Sequence, residues 1–504
     1  MLPALAKLVV ASLGTALLLW GWWLRRSDRP DRQRRQRDAL LLALGLLGAI
    51  CWGNFLQFRP GFVHGSDAFH YYFGAKYFRE LGYTRLYRCA VMADSEDGLG
   101  ERVRTRSVRD LETDHLVLGD RVLAEPQACA ARFSPERWAS FRHDIRWFRE
   151  RMDPTLWERL FQDYGYNATP VWGVLGTALA NTSPASWTQI VLLVALDPLL
   201  LVGMWSAVAW AFGWRAMCVA LIYWGTNFPA RFAWTGGSIL RQDWLALSMV
   251  GLCLLRRGYP RLAGFSLTWA ALLRVYPAFL LGGVALKGAA RLLTRRAVEF
   301  SRPYRPLALG SALALVILVP LGSAVAGGWN AWAGFNANSF KHVSTPTANR
   351  MGLATLAAYD HEHRARLLKD APGLSWEDAR RQALTRRRPL FAAAAIAFVI
   401  LLGWAAREQA DWVAAILGVG LIAGVGEATC YYYAILAAYG LVGDRREGIG
   451  AALCALSASG GVMAMFPLYA DELYTLLSAV TLLFIVGATI ALGRHPLEPS
   501  RNSR

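Results

Sequence analysis

Apolar runs long enough to enter a bilayer recur from residue 2 to residue 492, and they restrict the backbone more than any other feature of this sequence. Inside hydrocarbon every peptide N–H and C=O needs a partner within the protein, which leaves helices or closed barrels; runs of about 20 apolar residues select helices. With 504 residues, 55% of them hydrophobic, the chain reads as an all-α polytopic membrane protein. Its net charge of +18 raises the question of nucleic acid. The Lys and Arg residues fall in short clusters between apolar runs, a pattern of topology and membrane-lipid headgroup contact with no nucleic-acid partner.

The clusters also orient the chain. RRSDRPDRQRRQRD, residues 25 to 38, holds seven arginines against three aspartates between the first two apolar runs, and is therefore expected in the cytoplasm. Residues 2 to 24 carry only Lys7 and no small-residue cleavage pattern, so they read as a retained helix. Residues 39 to 58 then return outward, and 59 to 165 form a large extracytoplasmic loop. The stretch 166 to 180 is too short to span and is expected at the outer membrane edge. Further segments at 187–211, 216–232, 242–255, 262–274 with 276–288, 306–327, 389–406, 412–427, 430–443, 448–468 and 473–492 bring the count to about thirteen. Pro277 and Gly426 are the places where a helix is expected to break. Basic inner turns at 256–261, 287–296 and 443–448 agree with this orientation. RRQALTRRR at 380–388 does not, since counting puts it outside; it either binds an anion or outer headgroups, or marks a miscounted span. The resulting divisions are 1–58, 59–186, 187–327, 328–388 and 389–504, with the large outer loops in the second and fourth.

Five of the seven cysteines lie in apolar segments; Cys89 and Cys129 share the polar outer loop, where an oxidising compartment would allow a disulfide. That loop opens with HGSDAFHYYFGAKYFRELGYTRLY, residues 64 to 87. On a helix beginning near Ser66, Asp67, His70 and Tyr71 share a face with Gly74, while Phe69, Phe73 and Tyr77 share the other. Asp67, in the first turn, is favoured as a carboxylate by the helix N-terminus and is placed to accept a proton from a hydroxyl. The plainer reading is a helix cap with an interfacial aromatic belt.

An acid directly after an early outward helix, a Tyr-rich amphipathic helix, and the turn Gly82, Tyr83, Leu86, Tyr87 together resemble the GT-C class of membrane glycosyltransferases, nearest to the family eighty-seven mannosyltransferases and related arabinofuranosyltransferases. The resemblance implies a GT-C-like bundle, Asp67 as catalytic base, and a polyprenyl-phosphate sugar as donor substrate with no cofactor and no metal. The Tyr-Asn-Ala-Thr-Pro run at 166–170 resembles the element before that class's second surface helix. Departures are the extra first helix, the long charged loop, and Arg274 with Pro277 where the class has a Lys-Pro element.

Other cations are candidates for phosphate. Arg231, Arg241 and Asp243 surround a Gly-Gly turn at 236–237, where guanidinium groups suit a phosphate and an Arg241–Asp243 pair is the structural alternative. Arg274, deep in an apolar segment, needs a cavity or an acid, and Asp197 is the available acid. Lys341, His342 and Arg350 lie in a loop rich in small polar residues that can order over a substrate and neutralise a leaving phosphate, or simply be solvated. Glu427, before Tyr431, Tyr432 and Tyr433, could contact a sugar hydroxyl or bond a tyrosine. No Walker loop, metal-ligand spacing or dinucleotide fingerprint is present. The expectation is therefore a multi-pass glycosyltransferase of the plasma (inner) membrane. Its site is on the extracytoplasmic face, passing a sugar with inversion to a glycan or glycolipid acceptor. A transporter or flippase of a lipid-linked anion is the alternative.

Overall fold

The computed structural model describes residues 2–27, 32–56, 61–125, 127–294, 301–368 and 374–497. Residues 28–31 of the first basic stretch, 57–60 at the start of the outer loop, 295–296 of the second inner turn and the tail beyond 497 lie outside them.

The chain is an all-α membrane protein. Five described helices are both long and apolar enough to cross a membrane: Leu2–Arg26, Trp187–Phe212, Tyr304–Val325 (within Ser301–Val325), Arg388–Ala406 and Ala470–Arg494. The count of thirteen membrane segments is not reached on those terms, because the other expected segments form shorter or more polar helices. Among them are Arg34–Trp52, Trp214–Thr226, Asp243–Arg256, Pro260–Leu273 and Ala278–Thr294. The helix break near Pro277 falls where the sequence suggests, with Pro260–Leu273 ending at Arg274 and the next helix starting at Ala278. Around Gly426 the chain leaves the helix and forms the short strand Glu427–Thr429.

Close helix contacts rest on small residues, as expected where apolar side chains gain little by leaving lipid. Gly225 of Trp214–Thr226 lies so near Gly48 of Arg34–Trp52 that a Cβ on it would stand 1.7 Å from the Gly48 carbonyl oxygen. Arg34–Trp52 links the two ends of the molecule: 19 residues at 1.5 Å each give about 28 Å, close to the hydrocarbon thickness. At its first end charged groups of distant segments meet. Arg215 pairs with Asp38 and, at 3.8 Å, with Asp444, and Glu447 lies 3.7 Å from Arg37 and also pairs with Arg25. At its other end Trp52 donates its indole N–H to the Thr235 hydroxyl, beside the polar loops.

The first of those loops has a folded interior. Phe69, Phe73 and Tyr77 of the helix Gly65–Lys76 and its cap are buried against Phe141 and Phe148 of the helix Pro135–Arg151 and against Trp157. The aromatic face therefore packs on protein. Buried ion pairs hold the same interface: Lys76 meets Asp144 at 2.9 Å, and Tyr72 and Tyr77 donate to that carboxylate. Arg106 and Arg149 both reach Asp94 at 2.7 Å, while Arg142, Arg146 and Arg149 surround Asp97. These contacts account for much of the charge in the 104–115 and 141–153 stretches. Cys89 and Cys129 form the expected disulfide, joining Leu86–Asp94 to the short helix Gln127–Ala130.

Candidate active site

Asp67 is placed by local capping and by a loop from far along the chain. His64 caps the helix Gly65–Lys76, its Nδ1 accepting the Asp67 backbone N–H at 3.3 Å. The helix begins one residue before the expected Ser66, leaving Asp67 in its first turn. The His64 N–H donates to the Gly237 carbonyl at 2.7 Å. Gly237 has φ +71, and a Cβ there would lie 2.1 Å from the Phe62 oxygen, so the Gly-Gly turn lets the second segment reach the base of the Asp67 helix.

Asp67 opens onto a cavity of about 400 Å³ between the two outer loops and the ends of the spans. Arg241 faces it, Nε at 3.7 Å from Oδ2, with the carboxylate side chain 23% exposed and the guanidinium 12%. Burial pushes the Asp67 carboxyl upward, but Arg241, helped by His64, His70 and Arg274, more than offsets that and holds it below its ordinary value. Tyr71 organises the cations: its hydroxyl accepts from Arg241 at 2.8 Å and Arg274 at 2.7 Å and donates to Asn167 at 3.3 Å. Arg241 also lies 4.6 Å from the centre of the Tyr431 ring. Arg241 thus uses one Nη1 bond on Tyr71 and keeps other donors of its fork beside the cavity.

The Tyr-Asn-Ala-Thr-Pro element holds the neighbouring helix. Thr169 caps Pro170–Ala180 and donates its hydroxyl to the Leu272 carbonyl at 2.6 Å, while Tyr166 lies against Gly74 and stacks on Tyr83. His70 lines the cavity but is engaged behind it, Nε2 2.6 Å from the Tyr87 hydroxyl and Nδ1 3.9 Å from Asp163. Burial lowers its basicity despite Asp163 and Asp67.

The opposite wall comes from the second loop. His342, at the end of the helix Asn330–Ser344, faces the cavity with a buried Nε2 that lacks a partner, and burial lowers its basicity too. Arg350 also lines the cavity, but its guanidinium closes the loop on the carbonyls of His342, Val343 and Thr345 and pairs with Glu427 at 3.1 Å. The strand Arg350–Gly352 pairs antiparallel with Glu427–Thr429. Glu427 accepts from Arg350, Arg380 and the Thr355 hydroxyl, so it is a clamp behind the wall, where sugar or tyrosine contact was expected. The 380–388 cluster accordingly stands at the site's end of the molecule, as helix counting requires, with Arg380 neutralised by Glu427 and Arg387 capping the Ala357 and Tyr359 carbonyls.

Of the residues singled out in the sequence, Asp67, His70, Tyr71, Arg241, His342 and Arg350 border one cavity. Arg274 sits immediately behind through Tyr71, and its expected partner Asp197 is otherwise engaged: both its oxygens accept backbone N–H groups, from Arg241 and Gln242 at 3.0 Å. Asp243 accepts from the Trp244 N–H, and Arg241 turns to Asp67 in place of the expected Asp243 pair. Two candidates fall elsewhere. Arg231 packs on Phe228 outside the cavity lining, and Lys341 is tied to Asp114 at 3.1 Å and to the Leu111 carbonyl. Asn167, Asp163 and Asn349 line the cavity without having been marked as ligands; Asn167 carried a signal in its place in the 166–170 element, and Asn349 in the small-polar loop of Lys341, His342 and Arg350. Among the described residues no three His, Cys, Asp or Glu side chains gather as a metal-holding group. Comparison with known protein families, curated proteins and solved structures finds no match for this chain.

Proposed function

We propose that this protein is a membrane glycosyltransferase of GT-C type that moves a sugar from a polyprenyl-phosphate donor to an acceptor hydroxyl on the extracytoplasmic face. The observation that carries the reading is the depressed carboxylate of Asp67 beside the Arg241 guanidinium, in a cavity where polar loops meet membrane helices. A carboxylate held ionised can take the acceptor proton. The acceptor oxygen attacks the anomeric carbon from the face opposite the phosphate. The bond from that carbon to the phosphate oxygen breaks, and the electron pair leaves with polyprenyl phosphate. Arg241 is the guanidinium with donors to spare for that growing charge, with Arg274 adding positive potential through Tyr71. His342 offers an unpartnered ring nitrogen to phosphate or sugar.

The Cys89–Cys129 disulfide supports an oxidising, extracytoplasmic location for the site, and the charged end containing Arg25, Arg37 and Arg215 supports a cytoplasmic location for the other end. The test is incubation of membranes containing the protein with radiolabelled polyprenyl-phosphate sugars and a lipid and glycan acceptor pool. A labelled glycoside of inverted anomeric configuration, formed with release of polyprenyl phosphate, is the expected product; retention of configuration contradicts the mechanism.

A further inference from the structure

The end of the molecule away from Asp67 carries a second, larger cavity. It measures about 720 Å³ and lies where the helices Leu2–Arg26, Glu447–Met463 and Ala470–Arg494 meet. Its rim bears Arg25, Arg26, Arg445 and Arg446 and, among the described residues, a single carboxylate, Glu447, which Arg25 and Arg37 already engage. Arg26 stacks over Trp22 at 5.3 Å, and among the described residues neither Arg26 nor Arg445 pairs with a carboxylate. Arg446 donates to the His495 carbonyl and retains a buried Nε without a partner.

Below this rim the wall is apolar. Leu483, Phe484, Gly487, Ala488 and Ala491 line it on one helix, Leu483 is 73% exposed, and a Cβ on Gly487 would meet nothing within 4 Å. A basic rim above an open apolar channel between membrane helices matches an amphiphile with an anionic head.

We propose that this groove binds one anionic phospholipid, its phosphodiester on the arginine rim and the upper part of an acyl chain along the Leu483–Ala491 wall. The charge excess distinguishes it from a zwitterionic lipid, whose ammonium gains nothing from the rim. The apolar wall distinguishes it from a site for free phosphate. The site is separate from the Asp67 cavity and does not depend on the proposed transfer reaction.

The experiment titrates the full-length protein, stripped of lipid in a neutral detergent, with dioleoyl phosphatidylglycerol or dioleoyl phosphatidylcholine, and counts retained lipid by native mass spectrometry. One phosphatidylglycerol is expected to bind about ten-fold more tightly than phosphatidylcholine, and millimolar phosphate is expected to leave it in place. The double variant Arg26→Gln/Arg445→Gln should weaken phosphatidylglycerol about ten-fold and phosphatidylcholine little, whereas Gly487→Leu should weaken both by filling the channel. Equal binding of the two lipids overturns the proposal, as does full displacement by phosphate or wild-type affinity in the arginine variant. Among the described residues the arginine variant removes no ion pair, so an unchanged unfolding midpoint separates a lost site from a lost fold if Gly487→Leu proves unstable.

Discussion

Asp67 and Arg241 determine each other's usefulness. Without the guanidinium, burial is opposed at Asp67 only by the smaller effects of His64, His70 and Arg274, so the carboxyl rises. The proposed base works only when ionised, so the wild-type rate should persist to a pH below the ordinary carboxylate range as far as the protein stays folded, and Arg241→Gln should move the acid limb of kcat upward. A pH–rate profile that keeps its acid limb in Arg241→Gln would show that Arg241 does not set the state of Asp67. Lys341 offers the contrast. Its ammonium is used by Asp114 and Leu111, so Lys341→Gln should leave kcat within about two-fold yet cost about 3 kcal/mol of stability, read from the unfolding midpoint, because it strands the largely buried Asp114 carboxylate. The pattern Asp67, His70, Tyr71 was legible because three residues one turn apart share a helix face whatever surrounds them. The fates of Lys341 and Glu427 were not, because what neutralises a charge lies dozens to hundreds of residues away.

The loop elements that bring Asp67 into position depend on few links. The Cys89–Cys129 bridge closes a sequence separation of 40, for which chain entropy suggests about 4 kcal/mol. Cys89→Ser should therefore destabilise the outer loop by a few kcal/mol, seen as earlier protease cleavage within 61–165; unchanged cleavage would mean that the ion-pair core suffices. That core has its own acid limit. The Asp97 carboxyl is partly opposed by burial but lowered to about 2 by its bonds to Arg146 and Arg142. Its folded value lies below the unfolded one, so its stabilisation is present above about pH 4 and is lost as pH falls through about 2; Asp97→Asn should flatten that part of the pH–stability curve. Helical periodicity made most elements readable, as did Pro277 for the break after Arg274. The strands 107–109 with 116–118 and 350–352 with 427–429 were not readable, since ladders of three residues exist only once tertiary contacts bring them together.

Across the whole molecule, charge is distributed between two ends joined by Arg34–Trp52, and the two proposed ligand sites occupy one each. Basic clusters revealed this polarity in the sequence. Segment counting gave about thirteen where five described helices have the length and apolarity to cross, and hydropathy alone does not tell a crossing helix from a shorter one buried among neighbours, such as Asp243–Arg256. The orientation predicts that an impermeant maleimide added to intact cells labels a cysteine at Glu101, whose side chain is 95% exposed, and labels one at Arg26 only after the membrane is opened. The reverse pattern would place Asp67 in the cytoplasm. The decisive measurement is sugar transfer from radiolabelled polyprenyl phosphate by membranes containing wild type or Asp67→Asn, with donor binding read on the same preparations. Loss of turnover by about a hundred-fold or more with donor binding retained is the result expected of a catalytic base. Equal transfer by the two proteins would remove Asp67 from the chemistry, and donor binding without transfer in wild type, across several sugars, would point to carriage of the lipid-linked anion.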